Sequence, residues 1–222
     1  YMEVLIRMIG DQQNYISPMA FIPTAERYGL MLQVDNYVLS QICQHINEHP
    51  LDSMVYGVNL SGQTLSSVSA MESLIELVNT SNIPTGRLCL EFTETVAIAN
   101  LENARVFMRT MQDLGCYTAL DDFGSGLSSF SYLKNLPLDY IKIDGIFVSQ
   151  MIEDKASVIM VDAIHSVGKK LGLMTIAEYV ENEETVKLLR GIGVALAQGF
   201  YYGEPQLLVS PSTYTAPSKI PA

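Results

Sequence analysis

The 222-residue sequence has few basic residues and none of the long apolar runs of a membrane-spanning chain. It holds 13 lysines and arginines against 24 aspartates and glutamates, which gives a net charge of −11. This charge disfavours binding to a nucleic-acid polymer, because such binding depends on neutralising phosphates. The first residues also lack the basic and small-residue regions of a signal peptide. We therefore expect a domain that makes no direct contact with a membrane.

Cysteine is scarce as well. Cys43, Cys89 and Cys116 are odd in number, lack the spacing of metal ligands and lie in apolar surroundings. These features are typical of reduced, buried thiols. They favour a cytoplasmic domain, a location compatible with a membrane anchor elsewhere in a longer protein.

Apolar residues make up 48% of the chain and alternate between strand and helix patterns. The strand pattern falls on residues 2–8, 54–60, 87–93, 116–120, 139–144, 173–177 and 194–197. Seven strands alternating with helices predict an α/β fold, a parallel sheet curled into a TIM-like (β/α) barrel. No linker-like stretch interrupts residues 1–205, so we expect one domain there. Residues 206–222 are rich in Pro, Ser and Thr and are expected to form a poorly ordered tail.

Helix signals lie between the predicted strands. Ser17-Pro18 and Ile22-Pro23 predict two short helical turns that begin with proline. Asn100 is predicted to cap one helix at its start, and Gly191 to end another. Longer amphipathic helices are predicted over residues 32–49, 71–79 and 155–171.

Asp121 and Asp122 follow the apolar run 116–120, at the point where a buried strand opens into a glycine-containing loop. Two such close carboxylates either share a proton or hold a cation that cancels their repulsion. We favour the cation. The alternative is a solvated turn that happens to contain two aspartates.

Polar or acidic side chains lie at or near the carboxyl ends of most predicted strands, where barrels of this kind carry their active sites. They are Asn59, Glu91, Asp121, Asp122, Lys142, Glu178 and Gln198, with Glu3 added if its strand joins the same barrel. Carboxylate and amide oxygens suit Mg²⁺ or Mn²⁺ better than zinc. Two such cations sharing a carboxylate form a common apparatus for phosphodiester hydrolysis, with Arg7 as a phosphate-binding group.

Seven short motifs occur in a specific order. They are Glu3-Val4-Leu5 with Arg7, Asn59-Leu60-Ser61, Glu91-Phe92-Thr93-Glu94, Asp121-Asp122-Phe123-Gly124-Ser125-Gly126, Lys142-Ile143-Asp144, Ala177-Glu178-Tyr179-Val180-Glu181 and Gln198-Gly199. Together they resemble the motifs of the EAL-domain cyclic di-GMP phosphodiesterases over residues 1–205.

The resemblance implies a reaction and a role for each matching residue. The reaction is the hydrolysis of cyclic di-GMP to linear pGpG with two divalent cations, Mg²⁺ or Mn²⁺. The implied metal ligands are Glu3, Asn59, Glu91, Asp121, Asp122 and Glu178. The implied catalytic residues are Lys142, Glu178 and Glu94, of which Lys142 positions or deprotonates the attacking water and Glu94 anchors the loop that starts at Phe123. Substrate-contacting positions are matched by Leu5, Arg7 and Gln198.

The sequence also departs from the family pattern. Val4 replaces an alanine, Leu127 stands where an aromatic residue is common, and Tyr179 stands where glycine is common. The family's first strand, which runs antiparallel to the others, is expected before Tyr1 and is missing from this sequence. The resemblance further implies a homodimer and fusion to upstream sensory or diguanylate-cyclase-like domains.

The sequence disfavours functions other than catalysis. Some relatives of this kind have lost catalytic residues and act as cyclic di-GMP receptors or dimerisation modules, but here every expected metal ligand and Lys142 are present. A barrel acting on a phosphorylated sugar does not explain the order of the motifs. A kinase interpretation of Asp122-Phe123-Gly124 fails because no His-Arg-Asp loop precedes it. His45, His49 and His165 fall on predicted helices and are assigned surface or core roles.

Overall fold

The computed structural model describes residues 1–10, 14–124 and 130–208. The strands in this part of the chain are β1 (Met2–Val4), β2 (Met8–Ile9), β3 (Tyr15–Ile16), β4 (Tyr56–Asn59), β5 (Leu88–Thr93), β6 (Tyr117–Phe123), β7 (Tyr140–Ile143), β8 (Met174–Ala177) and β9 (Leu196–Ala197).

One curved sheet contains seven of these strands in the order β1-β4-β5-β6-β7-β8-β9. Each neighbouring pair in it is parallel, whereas β2 and β3 form a separate antiparallel hairpin. The described sheet begins at β1 and ends at β9, so the barrel is open between these two strands. The prediction of a TIM-like α/β barrel with parallel strands is confirmed.

The helices of the described residues are α1 (Pro18–Arg27), α2 (Met31–Glu48), α3 (Gly62–Leu65), α4 (Val68–Ser81), α5 (Glu94–Ala99), α6 (Leu101–Asp113), α7 (Gly145–Val148), α8 (Lys155–Leu171) and α9 (Glu183–Ile192), with a 3₁₀ helix at Phe130–Asn135. The longer ones pack on the outer face of the sheet. None of the helices that the structure describes is long and apolar enough to cross a membrane.

The two-residue period of the strands separates an outer core from the barrel interior. Leu88, Leu90 and Phe92 of β5 point outward and pack against helix residues such as Phe107 and Leu74. Residues of the alternate set point inward. They form a lower interior layer that consists of Cys89, Ala119, Tyr140 and Ile176, with Tyr1, Val55, Tyr117 and Leu196 packed against it.

Several local predictions are wrong in detail. The strand predicted over residues 2–8 ends at Val4 and resumes as the hairpin strand β2. The two predicted helical turns form the single helix α1, which contains Pro23. Pro23 removes one backbone hydrogen bond, the one to the carbonyl of Met19, and the helix continues through it at an exposed position.

Two predicted helix ends also differ. Asn100 does precede α6, but its side chain makes no capping hydrogen bond. The last helix ends at Ile192, and Gly193 at φ 103° takes the left-handed position expected of Gly191. Most of the predicted tail, residues 209–222, lies outside the described residues.

Candidate active site

A layer of polar side chains lies at the carboxyl end of the seven parallel strands. Cys89, Ala119, Tyr140 and Ile176 of the lower layer are each followed, two positions later in the sequence, by a polar side chain that lies above them. This upper layer consists of Glu3, Asn59, Glu91, Asp121, Lys142, Glu178 and Gln198. This layer contains six of the residues predicted from strand ends and also Glu3, because β1 joins the same sheet. Asp122, the remaining predicted residue, lies beside Asp121 in the cluster.

Lys142 lies at the centre of this layer. Its Nζ is 2.6 Å from Oε2 of Glu91 and 2.9 Å from both Oδ1 of Asp121 and Oε1 of Glu178. Oε2 of Glu3 is 3.4 Å away. Lys142 and Glu91 have no solvent exposure at all. One buried ammonium therefore faces four carboxylates, which leaves an excess of negative charge in a region shielded from water.

Two amides donate hydrogen bonds to the carboxylate oxygens of Glu3. The Nδ2 of Asn59 donates to Oε1 of Glu3 at 2.7 Å, and the Nε2 of Gln198 donates to Oε2 at 2.6 Å. Gln198 also lies 3.1 Å from Oε1 of Glu178. These bonds link the first and last strands of the open sheet across the barrel mouth.

Burial, helped by the excess negative charge, raises the pKa of three carboxyl groups. Burial, with the neighbouring carboxylates adding to it and Lys142 opposing it, raises the pKa of Glu91 to about 7 and that of Glu178 to about 8. Burial and Asp121 raise the pKa of Asp122 to about 6. Burial alone would lower the pKa of Lys142, but its carboxylate partners outweigh burial and raise that pKa well above its usual value.

The carboxylates form two overlapping triads. Glu3, Glu91 and Asp121 each offer an oxygen within 4.8 Å of the others, and so do Asp121, Asp122 and Glu178. Asp121 belongs to both. A set of oxygen donors with one shared carboxylate suits a pair of hard divalent cations, so the residues present fit the metals implied by the sequence.

A bulge in β6 allows both adjacent aspartates to face this site. In a regular strand, Asp121 and Asp122 would point to opposite faces of the sheet. The pairing of β6 with β7 shifts between Leu120 and Phe123, and Asp122 adopts a left-handed φ of 53°. Aspartate tolerates this conformation better than most residues, which explains how the pair can serve one cluster.

The model of the EAL domain family matches residues 1–205 of this sequence. The chain belongs to the EAL domain family. It is 37% identical to the cyclic di-GMP phosphodiesterase PdeB of Shewanella oneidensis over 211 residues, which cover 94% of this chain and 25% of PdeB. It is 32% identical to the cyclic di-GMP phosphodiesterase PdeF of Escherichia coli, covering 94% of this chain and 28% of PdeF. The chain thus spans only about a quarter of the length of these relatives.

Solved EAL structures have the same fold. The c-di-GMP complex of the PaMucR phosphodiesterase superposes with a TM-score of 0.86 and 31% identity, covering 93% of this chain and 85% of the other. The EAL domain of FimX from Pseudomonas aeruginosa, bound to c-di-GMP, superposes with a TM-score of 0.83 and 26% identity. The match covers 90% of this chain and 81% of the FimX chain.

In this EAL domain, Glu94 lies beside the carboxylate cluster and not in it. Its Oε2 accepts a hydrogen bond from the backbone N–H of Gly124 at 3.2 Å, and its Oε1 accepts one from Tyr132 at 2.7 Å. Glu94 therefore holds the chain on both sides of residues 125–129. Leu127, one of the departures from the family pattern, lies outside the described residues.

The predicted substrate residues are spread over different surroundings. Gln198 belongs to the cluster, but Leu5 is exposed and Arg7 donates only to the carbonyl of Ile6, at 3.0 Å, within the described residues. The predicted phosphate-binding group, Arg7, thus projects into solvent.

Tyr179 shows why glycine is favoured at its position. Its φ is 54°, in the left-handed region that is costly for a bulky side chain. Its ring covers Gly145, where a Cβ would collide with the ring atoms. The tyrosine remains 67% exposed at the barrel mouth.

Sequence reasoning missed three polar groups that support the site. Tyr132 holds Glu94, and the Tyr1 hydroxyl donates to Glu91 at 2.6 Å. Asp35 of α2 is buried and accepts hydrogen bonds from Ser61 Oγ and Thr64 Oγ1, both at 2.6 Å, so it fixes the turn after Asn59. The available signal for Asp35 was an acidic residue on the apolar face of an amphipathic helix.

Proposed function

We propose that this EAL domain hydrolyses a phosphodiester bond of cyclic di-GMP to give linear pGpG. The reaction uses two divalent cations, Mg²⁺ or Mn²⁺, held by Glu3, Asn59, Glu91, Asp121, Asp122 and Glu178. The observation that carries the proposal is the sharing of Asp121 by two carboxylate triads. The names of PdeB and PdeF supply the substrate class, and the c-di-GMP complexes of related domains support it.

When bound, two divalent cations neutralise phosphate charge and lower the pKa of a water molecule. The chain's own residues then orient that water. Lys142 is held in place by ion pairs with Glu91 and Glu178 and acts as a hydrogen-bond donor to the attacking oxygen. Glu178 lies 2.9 Å from the Lys142 ammonium and orients it, in addition to its role as a metal ligand.

Substrate recognition is assigned to residues around the mouth. The exposed guanidinium of Arg7 matches a phosphate by charge and by its fork of N–H donors. Leu5 offers an exposed apolar contact near it. Gln198 has an amide oriented by Glu3 and Glu178 and can contact a substrate that lies over the cluster.

Residues 1–205 are proposed to be the catalytic unit of a longer cytoplasmic protein with upstream sensory or diguanylate-cyclase-like domains. This is supported by the match to PdeB and PdeF, because the chain covers only 25% of PdeB and 28% of PdeF. A homodimer is proposed from the family resemblance. Light scattering on the purified protein at several concentrations will give the oligomeric state.

The experiment that tests the function is an incubation with cyclic di-GMP, followed by chromatography of the nucleotides. We expect pGpG with Mg²⁺ or Mn²⁺, no product after chelation, and inhibition by Ca²⁺, whose looser coordination misplaces the water. Asp121→Asn is the matched inactive control. Activity that persists after complete chelation contradicts the two-cation proposal. Tight binding of cyclic di-GMP without pGpG under any metal condition indicates the receptor alternative instead.

A further inference from the structure

The two carboxylate oxygens of Glu91 have different partners. Oε2 accepts from Lys142 at 2.6 Å and faces the shared cluster. Oε1 accepts from the hydroxyl of Tyr1, also at 2.6 Å. Because Glu91 is completely buried, neither bond competes with water. The buried carboxylate thus has one oxygen turned toward the metal cluster and one turned toward the layer beneath it.

Gly57 makes this arrangement possible. It pairs with Glu3 of β1 on one side and with Cys89 of β5 on the other, so it lies between the strands that carry Tyr1 and Glu91. A Cβ built on Gly57 would collide with Oε1 of Glu91 and would come within 2.6 Å of the Tyr1 hydroxyl. The space of the missing side chain is therefore filled by the hydrogen bond itself.

The Tyr1 ring is held from below. It packs edge-on against the ring of Tyr140, with the ring centroids 5.6 Å apart, and Tyr140 packs in the same way against Tyr117. This aromatic layer leaves the phenol little freedom to rotate away from Glu91. Tyr1 is thus a supported donor rather than a mobile one.

We propose that Tyr1 is a positioning residue that holds Oε1 of Glu91 away from the metal cluster, so that Glu91 offers a divalent cation only Oε2. The proposal rests on the proposed function, which supplies the cation. Ca²⁺ favours more ligands and accepts two-oxygen carboxylate coordination, whereas Mg²⁺ and Mn²⁺ need fewer ligands. Restricting Glu91 to one oxygen therefore favours the smaller cations over Ca²⁺.

The test is Tyr1→Phe in the full chain, with Mn²⁺ and Ca²⁺ affinities measured by calorimetry on metal-free protein. We expect Mn²⁺ affinity to fall about 10-fold, the usual effect of losing a group that orients a metal ligand. Ca²⁺ affinity should fall less or rise, since Oε1 becomes available as a ligand. The ratio of Ca²⁺ to Mn²⁺ affinity therefore increases.

Tyr140→Phe is the matched control. It removes a hydroxyl from the same aromatic layer, and in the described residues that hydroxyl is bonded to none of the site carboxylates. We expect both of its affinities to stay within about twofold of the wild type. Gly57→Ala is a second arm, in which the added methyl displaces Glu91 Oε1 or the phenol and lowers Mn²⁺ affinity without removing the hydroxyl.

Equal losses for Mn²⁺ and Ca²⁺ in Tyr1→Phe would reveal general loosening and overturn the proposal, as would affinities unchanged within twofold. Wild-type protein that binds no Mn²⁺ would overturn it too. Binding is read without turnover, so the two proposals fail separately. Wild-type protein that binds Mn²⁺ but releases no pGpG contradicts only the proposed function.

Discussion

The two ends of the barrel both carry buried or half-buried charges, but they balance them differently. At the amino end, Arg87 pairs with Asp52 at 3.4 Å and donates to the carbonyl of Met54 at 2.8 Å. Tyr56 donates to the same carboxylate at 2.6 Å, and His45 lies 3.2 Å from the Tyr56 hydroxyl. One cation thus pairs with one anion, and the neutral side chains of Tyr56 and His45 extend the network.

At the carboxyl end, one lysine faces four carboxylates, and Asp122 adds a fifth beside them. The amino-end network balances one cation with one anion, which is the expected behaviour of groups that serve stability. Within the described residues, Nδ1 of His45 is the one buried side-chain polar atom there without a hydrogen-bond partner. The carboxyl-end cluster has charge that the chain alone does not balance, which is the behaviour of a site built for a ligand. The difference in charge balance therefore separates structural from functional polar clusters in one molecule.

Replacing the central lysine should produce the largest effect. Lys142→Met removes the only cation of the carboxyl-end cluster in the described residues, and we expect turnover to fall about 100-fold or more. Metal-free protein should lose about 3–5 kcal/mol of stability, as expected when a buried ion pair loses one partner. Saturating Mn²⁺ should recover much of the melting temperature, because cations replace the lost charge. If Mn²⁺ gave no recovery, the cluster would not be a cation site.

Breaking the amino-end network should affect stability alone. Arg87→Met removes the partner of Asp52 and the donor to Met54, at a cost of about 1–3 kcal/mol. Turnover per folded molecule should remain within about twofold, and Mn²⁺ should give no more stabilisation than in the wild type. Denaturant unfolding together with the pGpG assay measures both quantities. A large loss of turnover at full folding would show that the two ends are coupled.

The stability of the two ends should depend on pH in opposite directions. Glu91 and Glu178 have folded pKa values raised to about 7 and 8 from 4.5, so folded metal-free protein binds more protons than unfolded protein between these limits. Its melting temperature should therefore fall as the pH rises from 5 to 8. The Tyr56 hydrogen bond lowers the pKa of Asp52, so the contribution of the amino end is lost only as the pH falls through that lowered value.

Thermal unfolding across this pH range, with and without Mn²⁺, checks the difference. Glu178→Gln should make the decline between pH 5 and 8 shallower in metal-free protein, and saturating Mn²⁺ should flatten or reverse it. A decline that is identical in Glu178→Gln and the wild type would assign it to other groups.

The smallest expected effect is at Tyr179, on the rim of the carboxyl end. Its φ of 54° is strained for any residue with a Cβ. We expect Tyr179→Gly to be more stable than Tyr179→Ala by about 1 kcal/mol, the reverse of the usual cost of glycine. Both variants lose the ring, so the pair isolates the backbone strain. Equal melting temperatures would show that the position relaxes when the ring is removed.

The sequence by itself determined the strand and helix order and most of the polar residues at the strand ends. Period-two apolar patterns identify the seven sheet strands, because alternate residues must face either the helices or the barrel interior. Parallel strands place their carboxyl ends at one edge, so a polar residue after each strand predicted a common site. Local signals failed where neighbouring structure decides, as at Pro23 inside α1 and at Asn100, which does not cap α6.

Only the tertiary structure decided how these groups contact one another. The placement of Lys142 among four carboxylates depends on strands far apart in sequence, and no local pattern encodes those distances. The bulge that turns Asp122 toward Asp121 depends on the register between β6 and β7. The pairing of Tyr1 with Glu91 needs an empty Cβ position at Gly57 on the strand between them. Such contacts arise from packing across the barrel, which is why residue type and spacing predicted which side chains gather at this end but not the bonds between them.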